Sequence, residues 1–347
     1  MKKTLIALAL VSLPVAASAE VILYGKIRGG VEFTREGTSA QLKSERNAWG
    51  VVDYGSYIGF KGSEDLGGNL KAIWQVESNA SLNGGSFVNN RDSFIGLEGG
   101  FGTVKVGRVV TPLKASLDDQ DNWEYNSETL GLSRYTRFGQ RRTSLNYQSP
   151  DFSGFDFSFQ MAPGTNVHGD RTNDGKPVFG LGLGYKNSGF FVRYAAEYAR
   201  KSTTGTDGLK DSHVHNLSAG YDANNLYVAG AFQYGKNVNP IFTNDAADAY
   251  DIAHDTVNGG KTKEAQISAA YTFGSITPKI SVAYGRGDSN DVQTDGARYL
   301  QAIVGADYAF SRRTTGLVSV GWLRDKANSN ADNVNSWGVG TGLVHKF

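Results

Sequence analysis

The sequence predicts an all-β chain: a sixteen-stranded antiparallel transmembrane β-barrel with short periplasmic turns and long extracellular loops. Three observations predict it. Apolar and polar residues alternate nearly from end to end, connections alternate between tight turns and long polar stretches, and an export leader precedes a chain with no long apolar run. Alternation with period two marks a strand whose two faces meet different surroundings. Short connections at one rim and long ones at the other are how outer-membrane barrels are built. Without a spanning helix, only a closed barrel satisfies its backbone groups in lipid. A soluble β-sandwich or propeller also alternates, but needs no systematic asymmetry of its connections.

Composition agrees. Of 347 residues, 44 are Gly, 17 Tyr, 18 Phe, 5 Trp and only 7 Pro. Glycine weakens a helix interior by about 1 kcal/mol, whereas barrel strands use it at bends and close approaches. Cysteine is absent, which excludes disulfide frameworks and thiolate metal or redox sites. Lys+Arg total 35 against 34 Asp+Glu, so there is no basic excess to suggest nucleic acid. Mean hydropathy is negative, as expected where half of every strand faces water.

The elements follow in chain order. Residues 1–19 read as a secretory signal peptide: Lys2 and Lys3, a short apolar stretch from Leu5 to Val15, and Ala17-Ser18-Ala19 before cleavage after Ala19. The barrel domain is then 20–347. In its first strand Leu23, Ile27, Val31 and Phe33 share one parity and Tyr24, Lys26, Arg28 and Glu32 the other. Leu70, Ala72, Trp74 and Val76 alternate with Lys71, Gln75 and Glu77; Phe155, Phe157, Phe159 and Met161 alternate with Asp156, Ser158 and Gln160. Later stripes are Ile267, Ala269, Tyr271, Phe273; then Leu300 to Phe310; and finally Trp337, Val339, Thr341, Leu343 and Phe347. Tight turns lie at 65–69, 99–102, 150–154, 187–189, 223–225, 274–275 and 311–313. Long polar stretches lie at 36–48, 78–89, 111–140, 164–176, 202–212, 237–262, 288–296 and 326–335. Seven turns and eight loops make fifteen connections, hence sixteen strands. Gly180-Leu181-Gly182-Leu183-Gly184 lacks the strand-to-helix context of a dinucleotide loop and reads as a lumen-facing strand.

Several stretches resemble one family. Glu20–Gly25, Ile58–Gly67, Arg91–Leu97, Gly100–Gly102 running to Val106–Arg108, Tyr147–Phe155 and the terminal His345-Lys346-Phe347 are similar to Gram-negative porins of the neisserial and related β-proteobacterial type. The similarity covers essentially the whole mature chain and diverges in the long loops. It implies a homotrimeric general-diffusion channel of the bacterial outer membrane, with lipopolysaccharide and other lipid around it and ions and small polar solutes passing through it. It further implies that the third long loop folds inward to narrow the pore, and that Phe347 is an assembly signal for the barrel-assembly machinery. Glu98 departs from the family, where a basic residue is common, which weakens the expected anion preference.

A pore needs a narrow place and a field across it. By composition alone Thr111–Gln140 reads equally as a solvated loop or as a constriction; the resemblance favours the second. It carries Asp118, Asp119, Asp121, Glu124 and Glu128, with Trp123, Tyr125, Leu130 and Leu132 available to pin it to a wall. The expected basic wall is Lys26, Arg28, Lys61, Lys71, Lys105, Arg142, Arg193 and Lys279 on the polar parity, with Arg108 where its strand enters the loop. Glu77, Glu98, Glu197 and Asp307 share that lumen face. Screening sets in over about 8 Å, so only charges near the narrowest section set selectivity. A weak anion preference or near neutrality is expected.

Other classes find less support. Among His168, His213, His215, His254 and His345 only His213 and His215 are close, on one face of a strand, without a third ligand at suitable spacing, so no metal or cofactor is expected. Arg286-Gly287-Asp288 matches a short adhesion tripeptide, but it lies at a strand-to-loop junction where Gly and Asp are ordinary turn residues, and the match reads as chance. No G-x-S-x-G or H-E-x-x-H run is present. A substrate-specific channel, a surface adhesin or receptor barrel, and a barrel enzyme stand as alternatives; the first would place an aromatic slide inside the pore, the last a convergent nucleophile and base.

Overall fold

In the computed structural model the alternating stretches become strands of a single closed sheet. It describes residues 20–37, 46–84, 91–125, 127–164, 177–200, 210–240, 259–290 and 295–347. The leader with its cleavage point, His168, His254 and parts of the long loops lie outside the described residues.

The strands are β1 (Glu20–Glu36), β2 (Arg46–Asp53), β3 (Tyr57–Gly67), β4 (Leu70–Asn79), β5 (Ser93–Gly99), β6 (Gly102–Val110), β7 (Arg141–Gln148), β8 (Phe155–Ala162) and β9 (Val178–Asn187). There follow β10 (Phe190–Ala199), β11 (Ser212–Ala223), β12 (Leu226–Lys236), β13 (Lys261–Tyr271), β14 (Ile276–Asp288), β15 (Arg298–Ala309), β16 (Thr314–Lys326) and β17 (Val334–Lys346). Each pairs antiparallel with its neighbours, and β17 returns to β1 from Lys26↔Lys346 to Arg35↔Trp337, which closes the sheet. These segments make sixteen crossings, because β2 and β3 are two parts of one strand that both pair with β1. Their register on β1 slips by one across Tyr54-Gly55-Ser56, a bulge with Gly55 at φ 91°. Asp53 holds it by accepting from the Gly55 and Ser56 amides at 2.7 and 2.9 Å. Bulges re-aim side chains; this one sends Tyr54 into the lumen.

The short connections follow β3, β5, β7, β9, β11, β13 and β15, all at one rim. Asn224 and Asn225 (φ 54° and 63°) form a two-residue hairpin whose left-handed backbone asparagine tolerates. At the same rim the carboxy-terminal residue is clasped to the first strand. The backbones of Gly25 and Phe347 exchange two hydrogen bonds of 3.1 Å, and the Phe347 ring fills the space a Cβ at Gly25 would need.

The two parities separate as the alternation requires. Outward rows carry Leu23, Val76, Phe159, Ile267, Tyr271, Val304, Tyr308 and Leu343, all exposed. Inward rows carry the polar residues Glu77, Gln160, Glu197, Gln233, Glu264, Gln301 and Ser319, all buried. The buried apolar cluster is built around the loop between β6 and β7, with Leu113, Leu117, Trp123, Tyr125, Leu130, Leu132, Tyr135 and Phe138 at its centre. That loop lies inside the barrel.

Candidate functional site

The inward loop starts as a helix, which the sequence analysis did not expect. Thr111 caps α1 (Pro112–Gln120) by accepting from the Lys114 amide at 3.1 Å, and Pro112 supplies the fixed φ of a first turn. Pro112, Leu113, Ser116, Leu117 and Gln120 are its buried residues, on a helix that packs against β8–β11. Gly180 and Gly182 give it room: a Cβ at Gly180 would stand 2.9 Å from the Pro112 ring. Their alternation is that of a lumen wall, as the sequence suggests.

From α1 the chain crosses the lumen along the far wall. Trp123 Nε1 donates to Ser281 Oγ at 2.9 Å, and Tyr125 Oη to the Gly340 carbonyl at 3.1 Å. Gln301 donates to the carbonyls of Glu128 and Gly131 at 2.7 and 2.8 Å. Glycine again makes the contact possible, since a Cβ at Gly321 would lie 1.8 Å from the Thr129 carbonyl oxygen. Tyr54, turned in by the bulge, packs on Tyr125 with ring centroids 4.8 Å apart. A second helix, α2 (Ser133–Thr136), returns the chain to β7, and the Thr111 amide donates to the Gln140 carbonyl at 3.0 Å to close the base. Beside α2 the Arg137 guanidinium meets the buried Glu264 carboxylate, Nη2 to Oε1 at 2.7 Å, while Tyr299 donates to the other oxygen at 3.1 Å. The four residues expected to pin the loop, Trp123, Tyr125, Leu130 and Leu132, are all buried.

The loop leaves the wall around β1 and β3–β7 open. Between them is a cavity of about 660 Å³ lined by the cations Lys26, Arg28, Arg91, Lys114 and Arg141 and the acids Asp118, Asp121 and Glu124, with Tyr57 beside them. Lys26 Nζ reaches both Glu124 oxygens at 2.5 and 2.6 Å, and Arg28 Nη1 reaches one at 2.5 Å. Burial raises the Glu124 carboxyl, but these two cations outweigh it and hold the group below the usual carboxylate range. Asp121 has no such partner. Burial pushes it up to about 7, against the Trp123 amide that donates to it.

The expected site residues divide accordingly. Lys26 and Arg28 meet Glu124; Arg193 meets Asp119 at 3.1 Å; Asp118 is held by Lys114 at 3.0 Å. Lys61, over the Tyr24 ring, Lys105, over the Phe94 ring, and Lys71 occupy lumen rows but lie outside the cavity lining. Arg142 and Lys279 stand on inward rows but are buried and do not line the cavity. Arg142 is buried on Glu197, and Lys279 is buried under the loop, bonded to Asp307 at 2.9 Å and to the Asn122 carbonyl at 2.7 Å. Arg108 is corrected too: it pairs with Ser93 and Thr143 on the outward parity of Val104 and exposed Val106. Glu128 is tied to Arg134 of the same loop at 2.5 Å. Arg91 and Arg141 were missed, and both stand at strand beginnings, where parity gives no guide. Arg91 bonds Glu77 and lies on the Tyr57 ring; Arg141 bonds Asp92 at 2.7 Å. His213 and His215 touch each other at 3.0 Å on the outward face, away from this site. Among the described residues no group of three or more metal-ligating side chains occurs.

Comparison with known proteins agrees with this architecture. The family model described as Gram-negative porin matches residues 19–347. The major outer membrane protein P.IB of Neisseria sicca is 41% identical over an alignment of 375 residues, and that of Neisseria meningitidis serogroup A is 42% identical over 351, each covering 100% of both chains. Among solved structures, the anion-selective porin from Comamonas acidovorans superposes with a TM-score of 0.74 at 22% identity, over 95% of this chain and 100% of that one. Salmonella typhi OmpF in complex with daunomycin gives 0.65 at 21% identity, over 95% and 98%.

Proposed function

The chain belongs to the Gram-negative porin family, and from that premise we propose that its constriction gives the channel a modest preference for small anions. It is a multi-pass outer-membrane protein whose barrel forms a water-filled path for passive diffusion of ions and small hydrophilic solutes. Its relatives are channels rather than enzymes.

One observation carries the selectivity. Five cationic side chains and three carboxylates line the narrow space between loop and wall. The excess is partly cancelled, since Arg91 and Arg141 are engaged by Glu77 and Asp92. The basic wall and the acidic loop edge set up a transverse field that orients polar solutes and disfavours apolar ones. Lys61, Lys71 and Lys105 add a weaker, more distant positive bias, screened over about 8 Å.

Reversal potentials of the purified protein in planar bilayers under a KCl gradient test this. The expected sign is that of anion preference at pH 6, reduced at pH 8. Asp121, protonated below its value of about 7, ionises above it and adds one negative charge to the cavity. Strong cation selectivity at pH 6 overturns the proposal.

We read the assembly as a homotrimer, which family membership supports, as does the fold it shares with a Vibrio cholerae outer-membrane protein solved in trimer form. Lipopolysaccharide is read as part of its lipid surroundings, the leader as removed after Ala19, and Phe347 as the residue the barrel-assembly machinery recognises. The pairing of Phe347 with Gly25 supports the last of these, because it completes the seam that closes the barrel.

A further inference from the structure

Two histidines of β11 touch on the outside of the barrel, where the strand leaves its long loop. Residues two apart on a strand share a face, so His213 and His215 stand on the same outward row as the exposed Leu217. Asp211, the residue before the strand, continues that row and is bonded by the Tyr198 hydroxyl. Tyr198 stands opposite His213 on β10, and Tyr234 opposite His215 on β12. The pair therefore sits among tyrosines at the water edge of the membrane-facing surface, with a carboxylate on its loop side.

The geometry of the contact is that of a chelate. His215 Nε2 and His213 Nδ1 are 3.0 Å apart, with the ring planes inclined at 68°. Metal–imidazole bonds are about 2.0–2.1 Å long, so two of them at a right angle hold their nitrogens about 2.9 Å apart, and two at a tetrahedral angle about 3.4 Å. The observed spacing fits adjacent corners of a tetragonal site, the preference of copper(II) and nickel(II). The other nitrogen of His215, Nδ1, lies 2.6 Å from the Tyr194 hydroxyl. Such an outer partner fixes which nitrogen is left for the metal. When His215 carries its hydrogen on Nδ1 and donates it to Tyr194, and His213 carries its own on Nε2, the two facing nitrogens are both bare. Both rings then stay neutral, and no proton has to leave the site. Charges near the pair oppose each other: Asp211 and Lys236, which stands opposite His213, both lie close enough to act on it.

We propose that His213 Nδ1 and His215 Nε2 bind a divalent transition-metal ion, copper(II) above others, at the outer surface of the barrel. Water completes the coordination, and Tyr194 is the positioning residue that orients His215. Copper(II) stands at the top of the affinity order for nitrogen sites, which suits a site with only two protein ligands. The site lies on the opposite face of the sheet from the constriction, so it is independent of the selectivity of the pore.

The test titrates copper(II) chloride into the assembled, untagged mature protein in detergent, read by calorimetry and by electron paramagnetic resonance. Wild type should take up one ion per chain and show hyperfine coupling to two imidazole nitrogens. His213→Gln or His215→Gln should weaken binding by about a hundred-fold or more and leave coupling to one nitrogen at most. Tyr194→Phe should keep both nitrogens but weaken binding about ten-fold, as loss of an outer-shell partner does. His345→Gln and His168→Gln/His254→Gln should bind as wild type. Should the two ligand variants fail to assemble, Tyr194→Phe and the nitrogen count of wild type decide. Coupling to fewer than two nitrogens in wild type, full affinity in the ligand variants or in Tyr194→Phe, loss of the signal in His345→Gln or His168→Gln/His254→Gln, or displacement by equimolar magnesium each overturns the proposal. Single-channel conductance should stay at the wild-type value in every variant. Loss of conductance in wild type itself would instead strike the functional reading above.

Discussion

Glu124 carries more of the constriction's electrostatics than any other single residue. Two cations from β1 converge on its one carboxylate, at distances that leave no room for an ion between them. Neutralising it without changing its shape releases both positive charges to the channel. Glu124→Gln should therefore shift the reversal potential clearly toward anions and leave the barrel assembled, as heat-modified mobility on gels can verify. Unchanged selectivity would mean that Lys26 and Arg28 lie off the ion path. Strand parity identified these two from the sequence, because a polar row in a barrel faces water. It could not separate them from Arg142 and Lys279, which occupy the same face but are buried, Arg142 on Glu197 and Lys279 under the loop. Which part of a wall a loop covers is decided by tertiary packing, so no local pattern records it.

The inward loop is an element held by many weak ties and one strong one. Its extent was legible from composition, and its apolar anchors were legible as residues too bulky for a solvated loop. Its helix was signalled by Thr111-Pro112, a cap followed by a residue fit only for a first turn. Less visible was how its charges pair. Lys114 and Arg134 meet Asp118 and Glu128 within the loop, so the segment is less acidic than its five carboxylates suggest, while Arg137 reaches out to Glu264 of β13. The Arg137–Glu264 pair is nearly solvent-free, with side chains 1% and 0% exposed. Removing one partner of such a pair typically costs about 3–5 kcal/mol, because the other charge stays buried alone. Arg137→Ala should loosen the loop within an intact barrel. Limited trypsin digestion should then cut within residues 111–140, where wild type resists, and open-channel current noise should rise. Arg137→Met with Glu264→Leu should restore protection by removing both charges together. Equal resistance in Arg137→Ala would show that the backbone contacts to Gln301, Gly321 and Gly340 suffice.

At the scale of the molecule, one physical requirement fixes both faces: every backbone donor and acceptor in lipid must be paired, so the sheet has no edge. The number of crossings followed from counting connections, and the alternation showed which residues share a face. Neither revealed the bulge at Tyr54–Ser56, whose residues differ little from the strands around it. The membrane-facing height can be checked against the same rows. From Lys263 to Tyr271 on β13, eight steps of about 3.4 Å each, tilted by roughly 40°, span about 20 Å, close to the apolar band expected of such barrels. Ile267 sits at the middle of that stretch and is 56% exposed on the outer side. Ile267→Arg places a charge at the bilayer centre and should destabilise the barrel by about 2–4 kcal/mol in reversible unfolding from lipid vesicles. Thr103→Arg, on the lumen side and opposite Glu98, introduces the same side chain into water and should change stability by less than about 1 kcal/mol. A comparable loss from both would mean that the two faces do not meet different solvents, and the assignment of lipid and water to the alternating rows would then fail.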